Sequence, residues 1–349
     1  MLNKSTPSLT HFRTRFTELV GIEHPVVQEG LGPYKTVRLA AAVSNAGGLG
    51  TISIPGITEE PQRGAKILRG YIEEACALTT RPLAVNIPVG SDSTGKVLPF
   101  SEAYVRAAVE SVRDPEIARR LRVITTSAGP PGAVRSMIAP SGLIHMHKVG
   151  GTRQAVRAEL DGVDVVIASG YEAGGHTHAR PVHTFILGPS VTEAVRIPVV
   201  LAGGIRDGRT LAAALMMGAE AVALGTRFVA CSDNTDWDQA YGKRIVSARE
   251  GEDIVFPATY GPSRALPSAG LSELLELIEG GSADEDELTR FKDERLIVGQ
   301  RDGDMDRGLL PAGQVAGAIK DIVSAATFVP GIVAEAIAEI ERIRTRIVA

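Results

Sequence analysis

Eight short apolar runs pace this chain: PVVQEG from residue 25, GLGTIS from 48, PLAVNI from 82, RVITTS from 122, LIHMHK from 143, VDVVIASG from 163, PVVLAGGI from 198 and AVALGTRF from 221. Each is too short for a helix and rich in Val, Ile and Thr, the signature of strands buried on both faces of a parallel sheet. Segments with helical periodicity stand between them, among them TVRLAAAVSNAGG, SEAYVRAAVESVRDP, TRQAVRAELDG and DGRTLAAALMMGAE. Several open on Thr, Ser or Asp and close on Gly, the usual start and stop signals. Eight strand–helix alternations predict an α/β chain folded as a (β/α)8 TIM barrel.

After residue 230 the rhythm changes. NTDWDQAYGKRIVSARE reads as a helix, and GLSELLELIEGGSADEDELTRFKDERLIVGQ is charged and helical without strand rhythm. Residues 231–300 are therefore expected to form a small helical cap over the substrate, inserted into a barrel made of 1–230 and 301–349. The acidic run SADEDE suits a solvated helix start. The chain ends in the helix GIVAEAIAEIERIRTRI, and its small-residue terminal helices are compatible with a homodimer or a monomer.

A doubly wound open sheet is the competing architecture, but its fingerprint is missing. EGLGPYK supplies Gly30 and Gly32 and then Lys35 where G-x-G-x-x-G needs its third glycine. GSDSTGKV gives Gly90, Gly95 and Lys96 P-loop spacing, yet Val97 replaces the hydroxyl residue that would hold magnesium, and LPF is read as loop instead of helix. A net charge of -4 offers no broad basic field for a nucleic acid. Two distant cysteines, Cys76 and Cys231, form neither a disulfide framework nor a zinc motif. The polar start MLNKSTPSLTHFRTRF lacks a signal-peptide core, and no apolar run is long enough for a membrane span, so a soluble cytoplasmic protein is expected.

Barrel active sites lie at the C-terminal strand ends. Those ends carry Gln28, Glu29 and Gly30; Asn86; His147 and Lys148; Glu172, Gly174, Gly175 and His176; Gly203 and Gly204; and Gly225 and Thr226. Glycine turns after the seventh and eighth strands are where barrels commonly bind phosphate, because backbone N–H groups can approach an anion there. Spacing alone leaves open that these glycines only cap tight turns. In SGYEAGGHTHARPVH, His176, His178 and His183 do not share a helix face and have no carboxylate pair to complete a metal set, so no metal is expected. His145 and His147 alternate with Met146 on the fifth run and share a face. His145 is expected to be a hydrogen-bonded interior group and His147 a lesser site residue. Cys231 reads as a buried structural thiol. Trp237, Tyr260 and Arg264 are candidate substrate or dinucleotide contacts in the cap, although a lone loop arginine is usually solvated.

Taken together, GYEAGGHT, IPVVLAGGIRDGRTLAAALMMGAEAVALGTRFV, IEHPVVQEGLG, AAAVSNAGGLGTIS, AVNI, IHMHKVG and LLPAGQVAG resemble the flavin-dependent nitronate monooxygenases, once called 2-nitropropane dioxygenases. That barrel also serves FMN-dependent enoyl-ACP reductases. The resemblance covers roughly residues 18–230 and 300–325. It implies that Gly203, Gly204, Gly225 and Thr226 hold the phosphate of FMN. It further implies that Gln28, Gly30 and Leu31 face the isoalloxazine, that Asn86 and Lys148 contact the cofactor, and that Gly313 and Gln314 pack near it. Gly174 and Gly175 would let the backbone pass close to the ring, and His176 would lie near flavin N5 as base or acid. An unperturbed imidazole titrates near neutrality, which suits that task. The family often has Met where Leu31 stands; a backbone N–H contact from Leu31 to the flavin is still expected.

Three functions follow. The first is oxidation of an alkyl nitronate with O2 to a carbonyl compound and nitrite. The second is NAD(P)H-dependent reduction of an enoyl thioester of ACP or CoA, and the third is a flavin- or phosphate-binding module without catalysis. The cap and the loop PVGSDSTGKVLPF are expected to roof the pocket. A wide basic roof favours a carrier or CoA thioester; a small closed apolar one favours a short nitronate.

Overall fold

The computed structural model describes residues 11–92, 94–258, 261–281 and 283–348. The polar start, residues 1–10, and the candidate contact Tyr260 lie outside the described residues. Strands in chain order are β1 (Val26–Gln28), β2 (Gly50–Ser53), β3 (Leu83–Val89), β4 (Leu121–Ala128), β5 (Ile144–Val149), β6 (Val165–Ser169), β7 (Gly175–His176), β8 (Val199–Ala202) and β9 (Ala221–Leu224). All but β7 form one parallel sheet in the order β1-β9-β8-β6-β5-β4-β3-β2, so every apolar run of the sequence is a strand of the barrel. Helices fill the connections: α1 (Arg15–Val20), α2 (Val37–Asn45), α3 (Pro61–Leu78), α4 (Pro99–Ser111), α5 (Pro115–Ala118), α6 (Gly132–Ile138), α7 (Thr152–Leu160), α8 (Thr184–Ala194) and α9 (Gly208–Met216). The short α10 (Thr226–Val229) follows β9, and α14 (Ala325–Arg344) ends the fold.

Alternation along the strands sorts the core into two layers. Val27, Leu49, Ala84, Val123, Met146, Ile167, Val200 and Ala223 cluster with Phe16 and Val20 of α1 inside the barrel. Val26, Val166, Leu201 and Val222 pack instead against the helices. Each fully buried aliphatic side chain contributes about 1.5–3 kcal/mol, which is why the two layers fix the strand register. Close packing also explains Gly50: a Cβ there would sit 1.8 Å from the Ala40 carbonyl oxygen of α2.

The ends of the sheet, β1 and β2, meet across a seam. Backbone bonds run from Leu49 N to Val26 O and from Gln28 N to Leu49 O, both 2.9 Å. The Gln28 side chain then continues the ladder, donating to Thr51 O at 3.0 Å and accepting from Thr51 N at 2.9 Å. Its amide thus replaces a backbone pair and helps to close the barrel.

Segment 231–300 is not purely helical. It holds α11 (Gln239–Val246), β10 (Ile254–Phe256), β11 (Ser263–Leu266), α12 (Ala269–Gly280) and α13 (Glu285–Gln300). Strand β11 pairs antiparallel with β10, with β12 (Leu310–Pro311) and with β7. The two strands escape a sequence reading because only partners distant in the chain stabilise them. NTDWDQAYGKRIVSARE is helical only over α11. A helix, α4, does follow the P-loop-like segment, contrary to the expected loop. The carboxylate of Asp92 accepts the N–H groups of Thr94 and Lys96 in that turn. No helix among the described residues is long and apolar enough to cross a membrane.

The seam generates a prediction. Gln28→Ala leaves the buried Thr51 N–H unsatisfied, at about 1–3 kcal/mol, and leaves Thr51 O only the Thr36 hydroxyl as side-chain donor. A clear fall in thermal midpoint is expected by calorimetry; an unchanged midpoint contradicts the role assigned to the Gln28 amide.

Candidate active site

A cavity of about 1110 Å³ opens over the C-terminal ends of the barrel strands. Ten of the residues expected at the cofactor reach its wall: Gly30, Leu31, Asn86, Lys148, Gly174, Gly175, Gly203, Gly204, Gly225 and Thr226. His176 and Gly313 line it as well. Gln28 and Gln314 do not. Gln28 is fully buried with its amide engaged in the seam, and Gln314 is exposed, giving only its backbone N–H to Glu172 O. The Leu31 N–H donates to Ser53 Oγ at 3.0 Å, so it is not the open donor the sequence suggested.

His176 stands on β7, whose register is set by β11: Ser263 faces His176 and Arg264 faces Gly175. The Thr177 N–H donates to Pro262 O at 2.7 Å, continuing that pairing by one residue. Beneath it Arg264, expected as a solvated loop residue, is 2% exposed. Its guanidinium pairs with Asp253, donates to Tyr171 O at 2.9 Å and lies 4.8 Å from the Tyr171 ring centroid. Arg264 therefore fastens the inserted segment to the loop after β6 and does not reach into the cavity.

His176 is exposed at the cavity, whose wall it lines. Burial lowers its pKa to about 3, with the positive charges of Lys292 and Lys148 adding to the effect. This lies below the ordinary histidine range assumed from the sequence. His178 is lowered to about 4 by burial and by Lys148. His183 caps the start of α8, with its Nδ1 3.3 Å from Glu172. On β5, Met146 fills the barrel, while His145 and His147 turn the other way and share the Thr126 hydroxyl at 2.7 and 2.8 Å. Of these two only His147 reaches the cavity. Cys231 is buried and its thiol is pushed up to about 11, as befits a structural residue.

The ends of β8 and β9 form the part of the wall suited to a flavin phosphate. Gly203 and Gly204 have φ of +91° and +76°, backbone that L side chains rarely adopt, and both line the cavity, where their missing side chains leave the backbone open to an anion. Thr226 begins α10, and its hydroxyl accepts the Gly313 N–H at 2.8 Å, leaving its proton free to donate. Lys148 Nζ lies 3.5 Å from Glu29 Oε2, while Glu29 Oε1 is buried on the cavity wall without a hydrogen-bond partner. Backbone donors for an anion and a buried acceptor for an N–H fit the two ends of a flavin mononucleotide. Among the described residues, no group of three or more His, Cys, Asp and Glu side chains is arranged to hold a metal.

Several residues at the site were not singled out by sequence. Lys292, Asp293, Leu296 and Gln300 all face the cavity from α13. Gln300 bridges to the loop after β1, accepting from Tyr34 N at 3.0 Å and donating to Gly32 O at 2.8 Å. Trp237 and Ser263 also line the cavity, whereas of the loop expected to roof it, residues 88–100, only Pro88 among the described residues does. Arg153, Arg157 and Arg180 form its exposed side. Their only sequence signal was a basic residue just past a strand end.

Comparison with known proteins agrees with this geometry. The family model described as nitronate monooxygenase matches residues 13–335. The chain is 32% identical to the (3aS,4S,5R,7aS)-5-hydroxy-7a-methyl-1-oxo-octahydro-1H-indene-4-carboxyl-CoA dehydrogenase of Mycobacterium tuberculosis, over 94% of this chain and 97% of that protein. It is 30% identical to a probable nitronate monooxygenase of Staphylococcus saprophyticus, over 75% of this chain and 81% of that one. Among solved structures, FabK from Thermotoga maritima superposes with a TM-score of 0.83 at 34% identity, covering 96% of this chain and all of that one. With the barrel strands, segment 231–300 and the glycine turns all inside the matched span, the chain belongs to the nitronate monooxygenase family of flavin-dependent oxidoreductases.

Proposed function

We propose that this protein is an FMN-dependent oxidoreductase acting on the acyl chain of a CoA-type thioester, with NAD(P)H as electron partner. The observation that carries this reading is the size and charge of the cavity. At about 1110 Å³ it lies just above the usual range for ligand pockets, about 300–1,000 Å³, and has room for a second ligand beside a cofactor. Its exposed side carries Arg153, Arg157 and Arg180, which suit a phosphorylated handle. Relatives matched over nearly the full length include an enzyme named for a carboxyl-CoA substrate. Oxidation of an alkyl nitronate with O2 is the second reading, favoured by the family model and by relatives named for that activity.

FMN, when bound, supplies the hydride and one-electron chemistry that no side chain provides. The backbone of Gly203, Gly204, Gly225 and Thr226 holds its phosphate, and Asn86, Lys148 and Glu29 line its polar edge. Neutral His176 accepts a hydrogen bond or a proton from the substrate carbon or oxygen beside it. It becomes an imidazolium donor only as negative charge develops next to it. Segment 231–300 acts as the substrate cap that excludes water.

Two outcomes are expected. In kcat/KM for a CoA thioester, the free enzyme shows no inflection near 6.5 from His176, because a lowered pKa leaves the group neutral above about 3. His176→Asn lowers kcat by about 10²–10⁴-fold with flavin content retained; an ordinary histidine inflection and a mild His176→Asn effect contradict the assigned role. The pair Arg153→Ala and Arg180→Ala together raises KM for a CoA thioester about tenfold or more, the value of one lost charge-assisted contact, and leaves KM for the matching pantetheine thioester unchanged. Equal effects on both thioesters contradict the phosphate-handle reading.

A further inference from the structure

Strand β5 carries a buried polar chain that leads to the cavity. Parallel pairing of β4 with β5 sets Thr126 opposite His147 and Ile124 opposite His145, so Thr126 and both histidines project from the same face of the sheet. The Thr126 hydroxyl lies 2.7 Å from His145 Nε2 and 2.8 Å from His147 Nδ1. All three side chains are buried, and burial lowers the pKa of His145 to about 3 and that of His147 to about 4. Each ring therefore carries a single N–H near neutrality. One hydroxyl proton cannot serve both rings, so at least one of them donates to the oxygen. His145 Nδ1 is buried without a partner, and a buried N–H left without an acceptor is a rare defect, which places the His145 proton on Nε2, facing Thr126. The hydroxyl then has two acceptors within reach, His147 Nδ1 at 2.8 Å and Met146 O at 3.4 Å, and only the first lies within the normal range for an O–H donor. With Nδ1 accepting from Thr126, the His147 proton resides on Nε2.

That nitrogen is bonded to no other described residue, and His147 lines the cavity. His178 closes the same corner, because Gly150, just past the end of β5, has no side chain: a Cβ there would fall 1.7 Å from the His178 ring. A neutral N–H in a partly enclosed corner suits an uncharged oxygen acceptor, whereas the arginines for a charged handle sit on the exposed side. Arg153 and Arg157 belong to α7, the helix that follows β5, so a single strand–helix unit carries the exposed arginines and the buried His147. We propose that His147 is a substrate-binding residue whose Nε2–H holds the carbonyl oxygen of the acyl thioester, with Thr126 and His145 as positioning residues that keep the proton on that nitrogen. The carbonyl is the oxygen that every acyl thioester shares. Its identity as the acceptor rests on the thioester reading; the donor assignment rests on the hydrogen bonds of Thr126 alone.

The test uses the flavin-loaded full-length protein with isotope-labelled histidine and NMR of the ring nitrogens, which separates an Nε2–H from an Nδ1–H imidazole. At neutral pH the His147 signal, identified by its loss in His147→Gln, is expected to be that of Nε2–H; an Nδ1–H signal overturns the donor assignment. Thr126→Val, close in shape, is expected to move the His147 Nδ1 resonance to that of a ring nitrogen accepting no hydrogen bond, and an unmoved resonance overturns the role of Thr126. Butyryl-CoA and its thioether analogue S-butyl-CoA, which lacks the carbonyl oxygen, then isolate the contact to substrate. His147→Phe is expected to weaken butyryl-CoA binding about tenfold, the scale of one buried hydrogen bond, and to leave S-butyl-CoA within about threefold. His147→Gln, which keeps a side-chain N–H, is expected to restore part of the loss. Equal effects on the two ligands, in variants that fold and keep flavin, overturn the carbonyl contact. If wild-type protein binds neither CoA ligand, the thioester reading fails by itself, and the contact is then decided with a short alkyl nitronate. About tenfold weaker nitronate binding by His147→Phe supports the donor role, and unchanged binding overturns it.

Discussion

The antiparallel pairing of β7 with β11 is the contact on which the site depends. Two residues of strand have no stability of their own, and His176 is one of them. Its place over the cavity is set by Ser263 and Arg264 on a strand more than eighty positions downstream. The buried Arg264 guanidinium, with Asp253, Tyr171 O and the Tyr171 ring as partners, holds that strand against the loop after β6. Breaking such a buried pair by removing one partner typically costs about 3–5 kcal/mol, because the other charge is left uncompensated. Segment 231–300 is therefore part of what positions His176 at the cavity.

The cavity's electrostatics follow from where charges are already engaged. The chain is acidic overall, with a formal charge of -4, yet Lys148, Lys292 and three arginines converge on one opening. Of the carboxylates on the wall, Glu172 accepts from the N–H and hydroxyl of Thr184, Asp293 accepts from the loop after β2, and Glu29 lies beside Lys148 with its other oxygen unpartnered. Basic side chains thus outnumber acidic ones on the cavity wall of an acidic protein, which favours anionic ligands, while burial is the first cause that lowers the pKa values of His147, His176 and His178.

The barrel was legible because burial on both faces writes itself into continuous apolar runs, and helices between them carry their own caps. The glycine turns after β8 and β9 were legible for a related reason: Gly203 and Gly204 adopt backbone that other residues avoid. Arg264 misled, since its burial depends on Asp253 and Tyr171 and nothing within a few residues of it signals that environment. Gln28 sat at the expected strand end, but only three dimensions show its amide bonded to Thr51 across the seam. Lys292 lies in a charged helix whose pattern reads as solvated. Its burial arises from helix docking onto the barrel, a fact with no local periodicity.

The most direct measurement is anaerobic mixing of the purified protein, with the visible flavin band followed in time. On this account NADH or NADPH bleaches the band and an enoyl-CoA then restores it without oxygen, while a short alkyl nitronate reacts slowly. Rapid bleaching by the nitronate, with no bleaching by either nucleotide and no recovery on enoyl-CoA, would contradict the thioester reading and make this cavity a site for nitronate oxidation.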